Sequence, residues 1–335
     1  MYKERKDLYM QLEKERDNSK IIAYITGDRP GLETQIHPEV YDYFVNLLDK
    51  IGVVPKISLF LYTRGGATLA AWSFVNLIRQ FCDDFEVIIP SKAHSAGTLL
   101  SLGANRIVMT KQATLGPIDP SVNTPLNPQI PGGAPNARMP VSVEAIKGFL
   151  ELAKGELKIE QSECLTTILT TLAQQVHPLV LGEVYRAKTQ IQMLARKLIT
   201  TQIQDEKKIE TIISFLCSES GSHDYSIHRR EAKNILGLNI EKPTDPLYEL
   251  IKKIYDDIVT ELNLTQIFDP NSILGGQNQA KYSLKRALIE SVDGGSYFFV
   301  SEGILMRRQV QVQPGIQQIA IQDQRDFEGW RHENV

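Results

Sequence analysis

Apolar residues in this chain come in short uninterrupted runs, separated by longer stretches in which apolar and polar positions alternate at helical spacing. IIAYIT (21–26) and KISLFLYT (56–63) have almost no polar face, the pattern of strands buried on both sides, and FEVIIP (85–90) and NRIVMT (105–110) continue the series. Between them, HPEVYDYFVNLLDKIG (37–52) has helical spacing and closes on glycine. TLAAWSFVNLIRQF (68–81) sets Leu69, Trp72, Val75, Ile78 and Phe81 near one helical face. Strands alternating with helices predict an α/β fold of crossover units around a largely parallel sheet, with ligands at the carboxyl ends of its strands.

Farther along, VNTPLNPQIPGGAPNARMP (122–140) is crowded with proline, asparagine and glycine and reads as a surface loop, a plain connector before a lid or a substrate groove. Residues 141–217 read as mainly helical, with Val184, Ala187, Ile191, Leu194 and Leu198 forming one apolar stripe that core packing explains. TDPLYELIKKIYDDIVTEL (244–262) is a helix capped by Thr244 or Asp245, with Pro246 in its first turn. The run from Tyr282 to Val312 alternates around Asp293-Gly294-Gly295, which predicts a β-hairpin, so residues 244–335 form a helix and antiparallel hairpin appendage. A glutamine-rich stretch near 309–324 looks like a frayed or partner-bound end.

Composition narrows the functional classes. The 335 residues are 42% hydrophobic and 23% charged with a formal net charge of −3, and the sequence pI is about 6.1. There is no basic footprint for nucleic acid and no polybasic membrane patch. Cys82, Cys164 and Cys217 are widely spaced, with no zinc-type cluster, so no metal is expected and the compartment expected is reducing and cytoplasmic. The first twenty residues are too charged for a signal peptide and read as a solvated or partner-binding helix, and no run of eighteen apolar residues follows. No GxGxxG dinucleotide fingerprint occurs, and no cofactor is expected.

Candidate chemistry centres on KAHSAGT (92–98). A serine between a strand and an apolar helix is commonly an N-cap. YTRGGAT (62–68) changes that balance, because two adjacent glycines after a buried strand let backbone N–H groups turn toward a ligand, as an oxyanion site requires. A nucleophile at one strand end beside a donor pair at the next is half of an acyl-transfer site.

The order strand, RGG, helix, strand, HSAGT, helix, strand, ATLGPIDP resembles the Clp-type serine protease fold, shared with signal-peptide peptidases and the crotonase superfamily. More narrowly, LYTRGG, KAHSAGTLLSLGANRIVM, TLGPIDP, HPLVLG and GSHDYSIHRREA resemble the serine dehydrogenase proteinase family of that clan, from about Ile21 to Leu238. The resemblance implies a Clp-type protease domain at 21–243, between the charged N-terminal helix at 1–20 and the appendage at 244–335. It implies Ser95 as nucleophile, with Gly66 and the backbone of Ala96 as oxyanion hole and the N-terminus of the following helix favouring the alkoxide. Arg64 replaces the proline usual in Clp-type SPGG, so the substrate strand beside it is expected to bind differently.

The base departs from the family pattern. Where Clp-type enzymes carry their histidine, in the segment aligning with ATLGPIDP, this chain has Asp119. The segment that supplies the third, acidic member offers His223 and Asp224. One arrangement exchanges the roles, with His223 as base and Asp119 as its orienter. Membrane-bound relatives use a lysine, which makes Lys147, and after it Lys111, competing bases. His94 reads as structural because it faces away from its neighbour Ser95, His177 as a local hydrogen-bonding residue, and His37, His228 and His332 as surface residues. The expected function is a serine peptidase acting on peptides or unfolded segments through an acyl-enzyme. It is expected to be a homo-oligomer, its hairpin and N-terminal helix packing between subunits, with room for an unfoldase partner and with neither nucleic acid nor membrane as partner. The alternatives are a non-catalytic Clp-fold assembly or binding protein and a crotonase-like acyl-CoA enzyme.

Overall fold

The computed structural model describes residues 2–219, 222–313 and 316–333. Gly221 of the GSHDYSIHRREA run and the pair Pro314-Gly315 inside the glutamine-rich stretch lie outside them. Contacts group the chain into two compact units, Met1–Leu115 with His228–Val335, and Gly116–Ile227. The sequence-based boundaries at 20/21 and 243/244 both fall inside the first unit, because the N-terminal helix and the C-terminal strands are built into its core.

The first unit begins with α1 (Tyr2–Glu15) and continues with β1 (Lys20–Thr26), α2 (Tyr41–Ile51), β2 (Lys56–Tyr62), α3 (Thr68–Ile78), β3 (Asp84–Ile89), β4 (Lys92–Ala93), α4 (Ala96–Leu102), β5 (Arg106–Met109) and β6 (Thr114–Leu115). Every residue of β2 is buried, and so is every residue of β1 after Lys20. Their apolar runs need no polar face because helices cover the sheet on both sides. β1 pairs parallel with β2, β2 with β3, and β3 with β5. On one side Tyr24, Phe44 and Phe74 form a buried aromatic cluster, the Phe44 and Phe74 rings stacked 4.7 Å apart. In α3 the buried face is Ala70, Ala71, Phe74, Val75 and Ile78, whereas Leu69 is exposed, so the stripe is rotated from the one the sequence spacing suggested.

The second unit starts with β7 (Ser121–Val122) and β8 (Val141–Ser142), which pair antiparallel and close the proline- and glycine-rich connector between them. Four helices follow: α5 (Val143–Glu151), α6 (Ser162–Gln175), α7 (Pro178–Ile199) and α8 (Glu206–Ser214). The stripe on α7 is buried at Val184, Ile191, Leu194 and Leu198. After β9 (Ile227–His228) the chain returns to the first unit through α9 (Arg229–Asn234), β10 (Ile240–Glu241), α10 (Asp245–Leu262) and α11 (Pro270–Leu274). Thr244 caps α10 by accepting from the Leu247 N–H, with Pro246 in the first turn.

The last three strands are β11 (Gln279–Ser291), β12 (Gly295–Gln313) and β13 (Ile316–His332), joined antiparallel. The hairpin turns where predicted, with Ser291 opposite Gly295. β11 also pairs antiparallel with β1, so the expected appendage completes a single eight-stranded sheet of order β10-β5-β3-β2-β1-β11-β12-β13. The glutamine-rich stretch is not a frayed end where it is described: it lies in β12 and β13, paired through Gln309 opposite Ile319.

The charged N-terminus is a helix solvated on one face and buried on the other. Tyr2, Arg5, Tyr9 and Leu12 are buried, and Tyr9 and Leu12 share one core with Ile251, Ile254 and Ile258 of α10 and Leu288 of β11. Arg5 is wholly buried and ion-pairs with Glu290, Asp257 and Glu261. Glu290, also buried, accepts from the Tyr9 hydroxyl at 2.6 Å and from Ser296 at 2.8 Å. Arg5 and the Tyr9 hydroxyl satisfy a buried carboxylate, while Lys3, Glu4, Asp7, Lys14 and Glu15 are exposed. Among the described residues, no single helix is long and apolar enough to cross a membrane.

Candidate active site

The carboxyl ends of β1 and β2 and the short β4 converge in the first unit. Thr26 Oγ1 donates to Thr63 Oγ1 at 2.8 Å, and the Gly65 N–H donates to the same Thr63 oxygen at 3.0 Å. Lys92 ion-pairs with Asp28 at 2.7 Å, and Asp28 also accepts from the Tyr62 hydroxyl at 2.9 Å. Burial pushes the Tyr62 hydroxyl far above the usual tyrosine range, and Tyr255 and Asp28 act in the same direction, so it stays a proton donor. These contacts fix the strand end that delivers the HSAGT turn.

Ser95 occupies the N-cap position of α4, yet its hydroxyl makes no capping hydrogen bond. Its backbone is at φ 51°, ψ −114°, an uncommon place for a residue with a β-carbon. Such a turn throws a side chain out between a strand and a helix. His94, on the other side of the turn, is held by a 2.8 Å hydrogen bond between its Nε2 and Thr114 Oγ1.

Gly65 and Gly66 are both at positive φ, 120° and 144°. A β-carbon on Gly65 would fall 2.7 Å from the Ser95 β-carbon and 3.2 Å from its Oγ; one on Gly66 would fall 2.3 Å from the Ile36 carbonyl oxygen. Gly65 is therefore packed directly against Ser95, and Gly66 against the backbone of Ile36, where it forms a parallel bridge. The Ile36 N–H donates to the Gly65 carbonyl, and the Ala67 N–H donates to the Ile36 carbonyl, each at 2.8 Å. Sequence reasoning singled out Gly66 and missed the close approach of Gly65. The signal available was the doubled glycine, which does not say which of the two touches the serine. Arg64 is exposed beside them.

In the second unit, His223 Nδ1 lies 2.8 Å from Asp119 Oδ1; Asp119 is 5% exposed, whereas the His223 side chain is half exposed. Asp119 follows Ile118, whose N–H is anchored on the Leu216 carbonyl at 2.8 Å. A buried carboxylate on an imidazole Nδ1 fixes the ring's tautomer. Burial, followed by the Asp119 and Glu144 charges, pushes the Cys217 thiol up to about 12. Burial raises the Glu144 carboxyl too, against the opposing charge of Lys147.

Each of the other candidates has contacts of its own. Lys147 ion-pairs with Glu151 one turn along α5, at 3.4 Å. Lys111, in the first unit, places its ammonium 4.4 Å from the centre of the Tyr248 ring. Asp224 is exposed, its N–H bonded to Ser222 Oγ. His177 caps α7 through the Leu179 N–H, and His37 accepts from the Glu39 N–H.

Residues 3–131 match the family model of ClpP-like SDH-type serine proteinases. An uncharacterised protein of Methanocaldococcus jannaschii is 30% identical over 198 residues, 58% of either chain. A second protein of that organism is 26% identical over 251 residues, 72% of this chain and 73% of the other. The chain thus spans 58% of the length of the first of these relatives. Among solved structures, ClpP1 from Listeria monocytogenes matches 70% of this chain and 99% of its own at 17% identity and a TM-score of 0.37. The membrane-bound stomatin-specific protease 1510-N matches 69% of this chain and 85% of its own at 16% identity and a TM-score of 0.39.

Proposed function

We propose, from the match of residues 3–131 to the family model of ClpP-like SDH-type serine proteinases, that this chain is a serine peptidase hydrolysing peptides or unfolded protein segments through an acyl-enzyme on Ser95. The observation that carries the reading is the Ser95 turn. The serine stands at the N-cap of α4 on an uncommon backbone conformation, its hydroxyl unused as a cap and Gly65 packed against it. Retaining such a conformation costs on the order of 1–3 kcal/mol, which a purely structural cap has no reason to incur.

In this reading the Ser95 hydroxyl adds to the scissile carbonyl while His223 takes its proton. The Gly66 and Ala96 N–H groups bind the developing oxyanion. The tetrahedral intermediate collapses, the amine leaves with the proton from His223, and water repeats the sequence on the acyl-serine. Asp119 holds the imidazole and stabilises its cation without taking the proton. The 2.8 Å His223–Asp119 contact supports the exchange of roles between the aspartate and histidine positions.

Labelling of the intact protein with a fluorophosphonate tests the proposal. Wild type is expected to label and Ser95→Ala to give no band; equal labelling of the two, or undiminished peptidase activity in the mutant, overturns it. An acyl-CoA enzyme of crotonase type would not need Ser95, and a binding protein would not label.

A further inference from the structure

Arg64 is exposed and, among the described residues, makes no hydrogen bond or ion pair. Elsewhere in the first unit Arg5 and Arg16 hold carboxylates, while Arg29, Arg79 and Arg286 hold backbone carbonyls. The place of Arg64 is set by its neighbour. A β-carbon on Gly65 would lie 3.2 Å from Ser95 Oγ, and consecutive Cα atoms are about 3.8 Å apart. The Cα of Arg64 is therefore no farther than about 8.5 Å from the hydroxyl. A peptide whose carbonyl sits at that hydroxyl advances by about 3.3–3.6 Å per residue. Side chains one or two residues from the scissile bond then pass within reach of the guanidinium.

The strand ends gathered around Ser95 carry an excess of positive charge. Segments 26–36, 62–68 and 90–98 hold Arg29, Arg64 and Lys92 against Asp28 and Glu33. Lys92 is engaged by Asp28 at 2.7 Å, and Arg29, only 9% exposed, donates to the Gln266 carbonyl at 2.9 Å. Arg64 is left as the exposed cation of the three. The planar fork of N–H donors on a guanidinium is matched by a carboxylate, which accepts two parallel bonds from it. An apolar side chain in the same place makes neither bond, and a cationic one is repelled.

We propose that Arg64 sets the substrate class, the enzyme cutting beside acidic residues whose side-chain carboxylate, within two residues of the scissile bond, binds this guanidinium. The inference rests on the serine-peptidase reading of Ser95. A chain-terminal carboxylate has the same chemistry, and peptides with blocked and with free C-termini separate the two sources.

The test maps the cuts that the full chain makes in an unfolded protein by mass spectrometry. One mapped site is then rebuilt as end-blocked peptides with Glu, Gln or Lys at each of the two positions on either side of the cut. Wild type is expected to favour Glu over Gln about tenfold in kcat/KM at low ionic strength, the worth of one charge-assisted hydrogen bond, and the ratio should shrink in high salt. Arg64→Ala should bring the ratio close to one, and Arg64→Glu should turn the preference toward Lys. A wild type indifferent to Glu, or a preference that survives both substitutions, overturns the proposal. So does cleavage confined to peptides with a free C-terminus, which assigns the guanidinium to the chain end. If the variants fail to fold, the wild-type ratio decides, and a ratio unmoved by salt overturns the proposal. A wild type that cuts nothing and takes no fluorophosphonate label removes the peptidase reading and this inference with it. One that labels and cuts without preferring Glu removes this inference alone.

Discussion

A β-carbon on Gly65 falls 2.7 Å from the β-carbon of Ser95, closer than two side chains can stand. The glycine is therefore part of the serine's seat. Gly65→Ala should displace Ser95 while leaving the buried strands intact. Because a displacement of about 1 Å at a reacting group can cost a hundredfold in rate, fluorophosphonate labelling and peptidase activity should fall nearly as far as in Ser95→Ala. Unchanged activity in a folded Gly65→Ala protein would remove the glycine from the site.

The Asp119–His223 pair gives a second expectation. His223→Ala and Asp119→Asn should each lower the peptidase rate at least about a hundredfold, the ordinary worth of general acid-base catalysis, while Lys147→Ala should change it little. Read in a steady-state assay, the reverse pattern, with Lys147→Ala silent and His223→Ala active, assigns the proton to the lysine.

Arg5 concerns stability. Its guanidinium is completely buried against the equally buried Glu290, so Arg5→Ala leaves a carboxylate without its cation and should cost about 3–5 kcal/mol in denaturant unfolding. Replacing both members, as in Arg5→Met with Glu290→Leu, should recover much of that loss.

Acid unfolding should be felt at Glu86. Burial pushes its carboxyl up, but hydrogen bonds and charge from Arg16, with help from Ser58 and Lys56, outweigh it and hold it below the usual carboxylate range. The unfolded chain then binds the proton more readily, at a pKa of about 4.3. The stabilisation is present in full above that value and is lost as pH falls through the lower folded value. Arg16→Leu should move the acid-unfolding midpoint, followed by circular dichroism, to higher pH; an unmoved midpoint would contradict this.

Runs without a polar face, such as KISLFLYT, announced the buried parallel strands because burial on both sides leaves no other pattern. The Asp293-Gly294-Gly295 turn announced its hairpin because only such residues accept its backbone. Ser95 and the doubled glycine were visible for the same local reason. What sequence spacing could not carry was long-range. Arg5 looks like any surface charge until Glu290, 285 residues away, is placed beside it. The glutamine-rich strands look like a loose end until β12 and β13 are paired. Nothing in the local pattern separates 116–227 as a unit of its own, since the division is a matter of which contacts are made.

β1 lies between β2, its neighbour in the chain, and β11, which begins only at Gln279. During synthesis the strand ending at Thr26 therefore waits for more than 250 further residues before its second edge is covered, roughly 13–50 s at ordinary elongation rates. Until then the nascent chain shows an unpaired, largely apolar strand edge, the situation that invites mispairing. A chain cut short anywhere before Ser291 should share that exposure, so early termination is expected to yield a chaperone client or an aggregate in place of a smaller folded protein.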